Sequence, residues 1–171
     1  RTILLGTFSK VLAPGVRMGW IYAEKEIIRK LALAKQASDL CSSGFTQRML
    51  YHYLSTKDLD AHIHSLLWCY RQRRDSMLEL LASHMPDSAT WTQPEGGLFI
   101  WVTLPESIDT ARLLERTVAK GVAFAPGESF YTDAPCKNTM RLNFTHADRE
   151  SMEKGIRIIA EEIWRLMAAP E

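Results

Sequence analysis

The feature that most constrains the fold is a long helical repeat of apolar residues over 58–83. Its apolar side chains recur every three or four residues, as on one face of an amphipathic helix. They are Leu59, Ile63, Leu66, Leu67, Tyr70, Met77, Leu78 and Leu81. Met85-Pro86 follows, and a residue before proline disfavours the α conformation. The pattern therefore predicts one long helix that ends near Ser83.

A basic cluster accompanies this helix at Arg71, Arg73 and Arg74, with Asp75 and Glu79 nearby. These side chains lie mostly off the apolar stripe, which favours a solvated helix face. A phosphate-binding cluster stays open as the alternative.

Shorter elements are predicted on both sides of the long helix. Before it the patterns predict a buried strand at 2–5, an irregular loop at 6–16, a strand at 17–23, and helices at 25–37 and 46–54. After it they predict strands at 94–105, 122–125 and 139–144, and helices at 109–120 and 147–166. For the helix predicted at 109–120, Asp109 is the predicted N-cap and Gly121 the predicted C-terminal stop. The order of elements from about residue 86 onward predicts a compact α+β domain.

Composition excludes several classes of partner. Net charge is +1, which gives no electrostatic case for nucleic acid, and no apolar run approaches the roughly 20 residues of a membrane span. Cys41, Cys69 and Cys136 are odd in number and widely spaced, which favours reduced thiols in a cytoplasmic protein. His62 and His64 diverge on a helix, so no metal site is predicted.

The chain starts at Arg1, without an initiator Met or a signal peptide, and enters an apolar run at once. We expect it to be a piece cut from a longer protein.

The segment Gly6-Thr-Phe-Ser-Lys-Val-Leu-Ala-Pro-Gly-Val-Arg-Met-Gly19 places one lysine just after a strand. A lysine amine held rigidly is a nucleophile toward aldehydes. Thr7 and Ser9 offer hydroxyl donors to a phosphate, and Arg17 offers a charge-assisted clamp. Together they suit an aldehyde that carries a phosphate, held by Lys10.

Three alternatives compete with that interpretation. A P-loop needs Gly-x4-Gly-Lys-Ser/Thr, which is absent, and a penicillin-binding site needs Ser-x-x-Lys, where Thr7 takes the serine position. A polar turn with a surface lysine and arginine stays possible on the short Ser-Lys pair alone.

Four segments together resemble the class I/II aminotransferases, fold-type-I enzymes that use pyridoxal 5'-phosphate. The first is the lysine segment from Gly6 to Gly19. The others are Gln93-Pro-Glu-Gly-Gly-Leu-Phe-Ile-Trp-Val, Gly121-Val-Ala-Phe-Ala-Pro-Gly-Glu-Ser-Phe130 and Met140-Arg-Leu-Asn-Phe144. They occur in the family's order and extend over essentially the full chain. Within the family, the segment from Gly96 to Pro105, followed by Asp109 and the segment from Gly121 to Gly127, looks most similar to the 2-aminoadipate/kynurenine branch.

The resemblance implies an α/β fold, namely the C-terminal part of a pyridoxal-phosphate-dependent transferase. Residues 1–57 would be the remnant of the large cofactor-binding domain. Residues 58–85 would form a long interdomain helix, and residues 86–171 the small C-terminal α+β domain.

The resemblance also assigns roles to matching residues. Lys10 would bind the cofactor covalently and move a proton during transamination, while Thr7, Ser9 and Arg17 would hold the cofactor phosphate. Arg141 would bind the substrate α-carboxylate through its planar fork of donors.

Gly97, together with Gly96, would let the backbone come close to the substrate, and a turn required only by the fold is the alternative. The substrates would be an amino acid and a 2-oxo acid, with no nucleic acid and no membrane as partner.

The family's N-terminal motifs, including the aspartate that pairs with the pyridine nitrogen and the Asn-Pro-x-Gly stretch, do not occur in this sequence. We therefore expect the chain alone to be an inactive fragment, and the full-length protein to be a cytoplasmic homodimer.

A second hypothesis is the aminotransferase-like sensor domain of a MocR-type transcription regulator, whose lysine segment is very similar. A basic helix-turn-helix in the sequence before residue 1 would favour it.

Overall fold

A computed structural model describes residues 2–168 of the chain. The chain divides into two compact units, the first ending at Leu67 and the second beginning at Trp68. This division is coarser than the expected one into 1–57, 58–85 and 86–171, which stays a prediction.

The first unit consists of an antiparallel hairpin followed by helices. Its elements are β1 (Leu4–Thr7), α1 (Phe8–Val11), a 3-10 turn (Pro14–Val16), β2 (Gly19–Tyr22), α2 (Lys25–Asp39), α3 (Gly44–Thr56) and the start of α4 (Leu59–His84). The predicted strands and helices are confirmed to within a few residues. The segment predicted as an irregular loop instead contains α1 and the 3-10 turn.

The prediction of a buried first strand is wrong for this structure. Leu4 is 53% exposed and Leu5 is 69% exposed. β1 pairs with β2 in a two-stranded sheet, and among residues 2–168 no further strand extends that sheet. An apolar run therefore identified the strand correctly but not its surroundings.

The second unit contains an antiparallel four-stranded sheet in the order β3-β4-β6-β5. Its elements after α4 are β3 (Thr90–Trp91), β4 (Phe99–Thr103), α5 (Thr110–Val118), β5 (Ala125–Pro126), a 3-10 turn (Gly127–Phe130), β6 (Thr139–Asn143) and α6 (Arg149–Ala168). The predicted α+β organisation is confirmed, with β3 as an additional short strand. Within residues 2–168, no helix is long and apolar enough to cross a membrane.

One core lies between this sheet and its helices. Strand residues such as Ile100, Val102 and Met140 are fully buried, as are Leu81 of α4 and Ile163 of α6. The predicted stripe of α6 is confirmed, since Met152, Ile156, Ile159 and Ile163 are buried and Leu166 packs against the core.

The ends of α5 are those that the sequence predicts. Asp109 Oδ1 accepts hydrogen bonds from the backbone N–H groups of Ala111 at 2.9 Å and Arg112 at 3.4 Å. Gly121 follows the helix with a positive φ of 80°, which glycine adopts at little cost.

The basic cluster on α4 is only partly a solvated face. Arg71 is exposed, whereas Arg73 and Arg74 are half-buried. Arg73 donates to the backbone carbonyl of Thr145, and Arg74 Nη1 donates to that of Pro94 at 3.1 Å. These two arginines therefore tie α4 to loops of the second unit.

A buried carboxylate with three cationic partners joins α5 and α6. Glu162 is 2% exposed. Its oxygens lie 2.9 Å from Arg116 Nε and 2.6 Å from Lys120 Nζ, and Arg165 forms a third ion pair. The hydrogen bond from Lys120 is the main cause of a lowered pKa at Glu162, opposed by its burial and aided by the charge of Arg165.

We expect Glu162→Gln to destabilise the second unit by about 1–2 kcal/mol near pH 7, since it leaves three cations without their anion. The value is moderate because the cations are partly exposed and screened. The pKa of Glu162 in the folded protein is lowered, so the stabilisation is complete above the ordinary glutamate pKa of 4.5 and is lost as pH falls through the folded pKa. Thermal unfolding measured from pH 7 to below pH 4.5 tests both the loss of stability and its dependence on pH.

The matched control is Glu161→Gln, the same change at the exposed neighbouring position on α6. An equal loss in the two variants, or a Glu162→Gln deficit that persists in acid, would contradict the assignment.

Candidate functional site

The lysine segment is closed at its base by the β1–β2 hairpin. Thr7 pairs with Gly19 and Gly6 with Trp20 in the antiparallel register. A Cβ atom at Gly6 would lie 2.1 Å from Cε2 of the Trp20 ring, so the ring occupies the space of a side chain there. The hairpin thus holds both ends of the loop that carries Lys10.

Thr7 caps α1 with its side chain. Its Oγ1 accepts a hydrogen bond from the backbone N–H of Ser9 at 3.1 Å and donates to the carbonyl of Met18 at 3.4 Å. A hydroxyl has one hydrogen to donate. In this structure that hydrogen is used within the loop.

Ser9 and Arg17 lie together on the same loop. Arg17 Nη1 donates to Ser9 Oγ at 3.2 Å and to the carbonyl of Pro14 at 3.2 Å. Arg17 has a left-handed backbone conformation with φ of 50°, which costs roughly 1 kcal/mol or more in a residue with a side chain. The Ser9 hydroxyl accepts from Arg17, so its own hydrogen remains available for an anion.

Lys10 lies on α1 between these groups in sequence and is exposed. Its amine forms no hydrogen bond or ion pair with any of residues 2–168. One short loop therefore carries an amine, a hydroxyl and a guanidinium.

Arg141 lies on β6, with Trp101 of β4 and Ala125 of β5 as its register partners. Its Cζ atom lies over two rings, 4.0 Å from the centroid of Phe99 and 4.5 Å from that of Phe130. Within the described part of the chain, its guanidinium has no carboxylate or carbonyl partner. A half-buried cation with unused donors is suited to bind a planar anion.

Gly97 lies two residues before the start of β4 and has a positive φ of 81°. A Cβ atom there would meet nothing within 4 Å, so backbone conformation and not crowding favours glycine. Gly96 shows neither constraint. The structure thus gives Gly97 a role in the fold, and its role toward a substrate stays a prediction.

The predicted site residues form two groups, one in each unit. Thr7, Ser9, Lys10 and Arg17 share the lysine loop of the first unit. Arg141 lies on β6 of the second unit, and Gly97 lies in the loop before the neighbouring strand β4.

Sequence reasoning missed the aromatic residues around Arg141. Phe99 and Trp101 alternate with buried Ile100 and Val102, so strand periodicity alone places them on the opposite face of β4 from the core. That alternation was a usable signal. Phe130 lies on a 3-10 turn, where no periodicity indicates its neighbour.

Within residues 2–168, no cluster of three or more His, Cys, Asp or Glu side chains is arranged to hold a metal ion.

The chain belongs to the family described as "Aminotransferase class I and II", which matches residues 1–159. The predicted resemblance is confirmed, and members of this family use pyridoxal 5'-phosphate. The fold and the four sequence segments therefore define one class of protein.

The chain is similar to particular aminotransferases and to one solved structure. The chain is 53% identical over 163 residues to "Aromatic-amino-acid aminotransferase 1" of Thermococcus litoralis, covering 95% of the chain and 39% of that protein. It is 35% identical to "2-aminoadipate transaminase" of Thermus thermophilus, covering 97% and 42%. It superposes with a TM-score of 0.91 and 50% identity on the kynurenine aminotransferase of Pyrococcus horikoshii, solved "in complex with PMP, KYN as substrates and KYA as products", covering 99% and 42%.

The chain thus spans about two fifths of the length of these relatives. An uncharacterized HTH-type transcriptional regulator of Bacillus subtilis is also similar, at 33% identity over 96% of the chain and 34% of that protein. This regulator is less similar than the two aminotransferases.

Proposed function

We propose that this chain is part of an aminotransferase that uses pyridoxal 5'-phosphate to move an amino group between an amino acid and a 2-oxo acid. The observation that carries the proposal is the lysine loop, which holds Lys10 together with the hydrogen-bonded pair Ser9 and Arg17, in a chain of this family. The names of its relatives favour aromatic amino acids, kynurenine or 2-aminoadipate as amino donor.

The donor set of the loop fits this cofactor. Ser9 and Arg17 supply a hydroxyl hydrogen and charged N–H groups for a phosphate, and Lys10 supplies an amine for its aldehyde. Thr7 fits less directly, because its hydroxyl hydrogen must leave the Met18 carbonyl before it can bind a phosphate oxygen. Thr7 is proposed to bind the cofactor phosphate once its hydroxyl has turned away from the Met18 carbonyl.

Each residue then has a defined part in the reaction. When bound, the cofactor withdraws electrons from the substrate Cα and so makes its proton removable. Lys10 Nζ takes that proton and returns it, as general base and then general acid. Arg141 binds the α-carboxylate with two parallel N–H donors, which fixes the orientation of the substrate.

Gly97 is the proposed point where the backbone approaches the substrate. The complete protein is proposed to be a cytoplasmic homodimer, and the family's N-terminal motifs absent from this sequence would have to be supplied for turnover. The same proposal divides the chain into a remnant of the large domain at 1–57, an interdomain helix at 58–85 and a small domain at 86–171.

A second candidate is the sensor domain of a MocR-type regulator. The similarity to the Bacillus subtilis regulator supports it, because that match covers 96% of this chain. In such a protein the same lysine loop would hold the cofactor, and DNA binding would be the output.

Turnover by the complete protein tests the proposal. After loading with pyridoxal phosphate, we expect transfer of the amino group from phenylalanine, kynurenine or 2-aminoadipate to 2-oxoglutarate. The measurement is the amount of glutamate formed. Lysine serves as a donor control whose side-chain cation resembles none of these three. Cofactor binding without turnover of any donor, combined with salt-sensitive binding to DNA, would favour the regulator instead.

A further inference from the structure

Two aromatic rings hold the Arg141 side chain from different parts of the second unit. Phe99 is on β4, and Phe130 ends the 3-10 turn that follows β5. The Arg141 Cζ atom lies 4.0 Å and 4.5 Å from their ring centroids, within the distance at which a cation is attracted to a ring face. Phe130 is 47% exposed, so burial in the core does not explain its place.

The turn that carries Phe130 is fixed to the same face of β6 as Arg141. Gly127, its first residue, is buried, and a Cβ atom there would lie 1.9 Å from Thr139 Oγ1 and 2.8 Å from the Thr139 carbonyl oxygen. Thr139 and Arg141 are two residues apart on β6, so their side chains project from one face of the strand. The absence of a side chain at Gly127 therefore lets the turn lie directly against this face.

A second contact fixes the ring itself. Trp101 meets Phe130 edge to face, with ring centroids 5.5 Å apart and an interplanar angle of 83°. Tyr131 also lies near Trp101, at 6.3 Å between centroids. Trp101 is also the register partner of Arg141. Arg141 and Phe130 are therefore both held against the same residue of β4.

This arrangement leaves the hydrogen-bonding capacity of the guanidinium unused. All five donors of an arginine lie in its plane, whereas a ring attracts the cation through the ring face and accepts little from those donors. Among residues 2–168, no acceptor bonds to the Arg141 guanidinium. The rings thus hold the cation without competing for the N–H groups that a carboxylate needs.

We propose that Phe130 is a positioning residue that, with Phe99, holds the Arg141 guanidinium for the carboxylate of the substrate. This inference rests on the proposed carboxylate role of Arg141 and adds a residue that acts through it. Phe130 itself need not touch the carboxylate.

The test measures ligand binding by calorimetry in the complete, cofactor-loaded protein. The two probes are phenylpropionate and phenylpropanol, which share a ring and differ in the carboxylate. We expect Phe130→Leu to weaken phenylpropionate binding by roughly five-fold, the range of a partly exposed cation–ring contact, and to leave phenylpropanol binding unchanged. Phe130→Tyr keeps an aromatic ring and should bind both probes as the unchanged protein does.

A double-mutant cycle decides whether Phe130 acts through Arg141. In an Arg141→Met background, Phe130→Leu should have no further effect on phenylpropionate. A five-fold loss that persists in that background, or an equal loss in Phe130→Leu and Phe130→Tyr, would overturn the inference. So would an equal loss of both probes, because a general packing defect does not distinguish a carboxylate from an alcohol.

The matched control is Phe124→Leu, the same change at a ring that packs against the core rather than over Arg141. It should leave the ratio of the two affinities unchanged. The proposed function can fail separately: if Arg141→Met alone leaves phenylpropionate binding unchanged, the carboxylate role of Arg141 is wrong. If Arg141→Met weakens binding and Phe130→Leu does not, only the positioning role is wrong.

Discussion

Lys10→Ala is expected to abolish transamination by the complete protein, with a loss of roughly a thousand-fold or more. A general base or acid contributes about that much to a rate, and no other lysine or histidine occurs among residues 6–19. The substitution also removes the amine that would bind the cofactor covalently. The visible absorption of the lysine-bound cofactor should therefore disappear, while the fold is retained because Lys10 is exposed and makes no bond within the described chain.

Lys154→Ala is the control, since Lys154 is also an exposed lysine on a helix, α6. It should keep both the absorption band and the rate. Persistence of the visible band in Lys10→Ala would show that another amine holds the cofactor. Retained turnover without the band would contradict the proton-transfer role.

Gly127→Ala is expected to destabilise the second unit by about 2–3 kcal/mol, the upper part of the range for overpacking a close contact. The added Cβ would lie 1.9 Å from Thr139 Oγ1 and 2.8 Å from the Thr139 carbonyl oxygen. Thr139 cannot easily move, because it is 3% exposed and its hydroxyl donates to the Cys136 carbonyl at 3.0 Å. Thermal unfolding of the complete protein measures the loss.

Two companions make this prediction specific. Gly155→Ala places its Cβ at an ordinary 3.8 Å from Val122 Cγ1 within α6, so it should be neutral or stabilise slightly. Combining Gly127→Ala with Thr139→Ala removes the nearest clash and should recover part of the loss, while the contacts at 2.8 Å with the Cβ and the carbonyl oxygen of residue 139 remain. A Gly127→Ala protein as stable as Gly155→Ala would show that the turn does not rest against β6 as described.

Periodicity predicted the long elements well because their spacing reports one apolar face. The helix expected over 58–83 is observed as Leu59–His84, and the stripe of α6 is buried from Met152 to Ile163. The N-cap at Asp109 was also predictable, because a cap depends only on the aspartate and the next three residues. The family, and with it the cofactor, followed from four segments in order.

Features that depend on distant partners were not predictable in this way. The exposure of β1 depends on which strands cover it, and β3 has two residues, too few for any period. Glu162 is buried on α6 because Arg116 and Lys120, more than 40 residues away in sequence, supply its counter-charges. Arg73 binds a carbonyl 72 residues away, so its position on the helix wheel suggested solvent instead.

The site was predicted unevenly for the same reason. The lysine loop is contiguous, so its members could be named together, although the internal use of the Thr7 hydroxyl emerged only from the hairpin geometry. The pairing of Arg141 with Phe130 joins a strand to a turn 11 residues earlier. Only a folded backbone brings those two side chains together.

The rings beside Arg141 bear on how the affinity of such a site is divided between enthalpy and entropy. An arginine side chain carries roughly 2 kcal/mol of rotamer entropy, which a ligand must remove if it orders the side chain itself. In this protein Phe99 and Phe130 restrict those rotamers during folding, before any ligand arrives. A carboxylate should therefore bind with a smaller entropic penalty than at an arginine that moves freely on a surface, and this difference would be largest for small ligands with few other contacts.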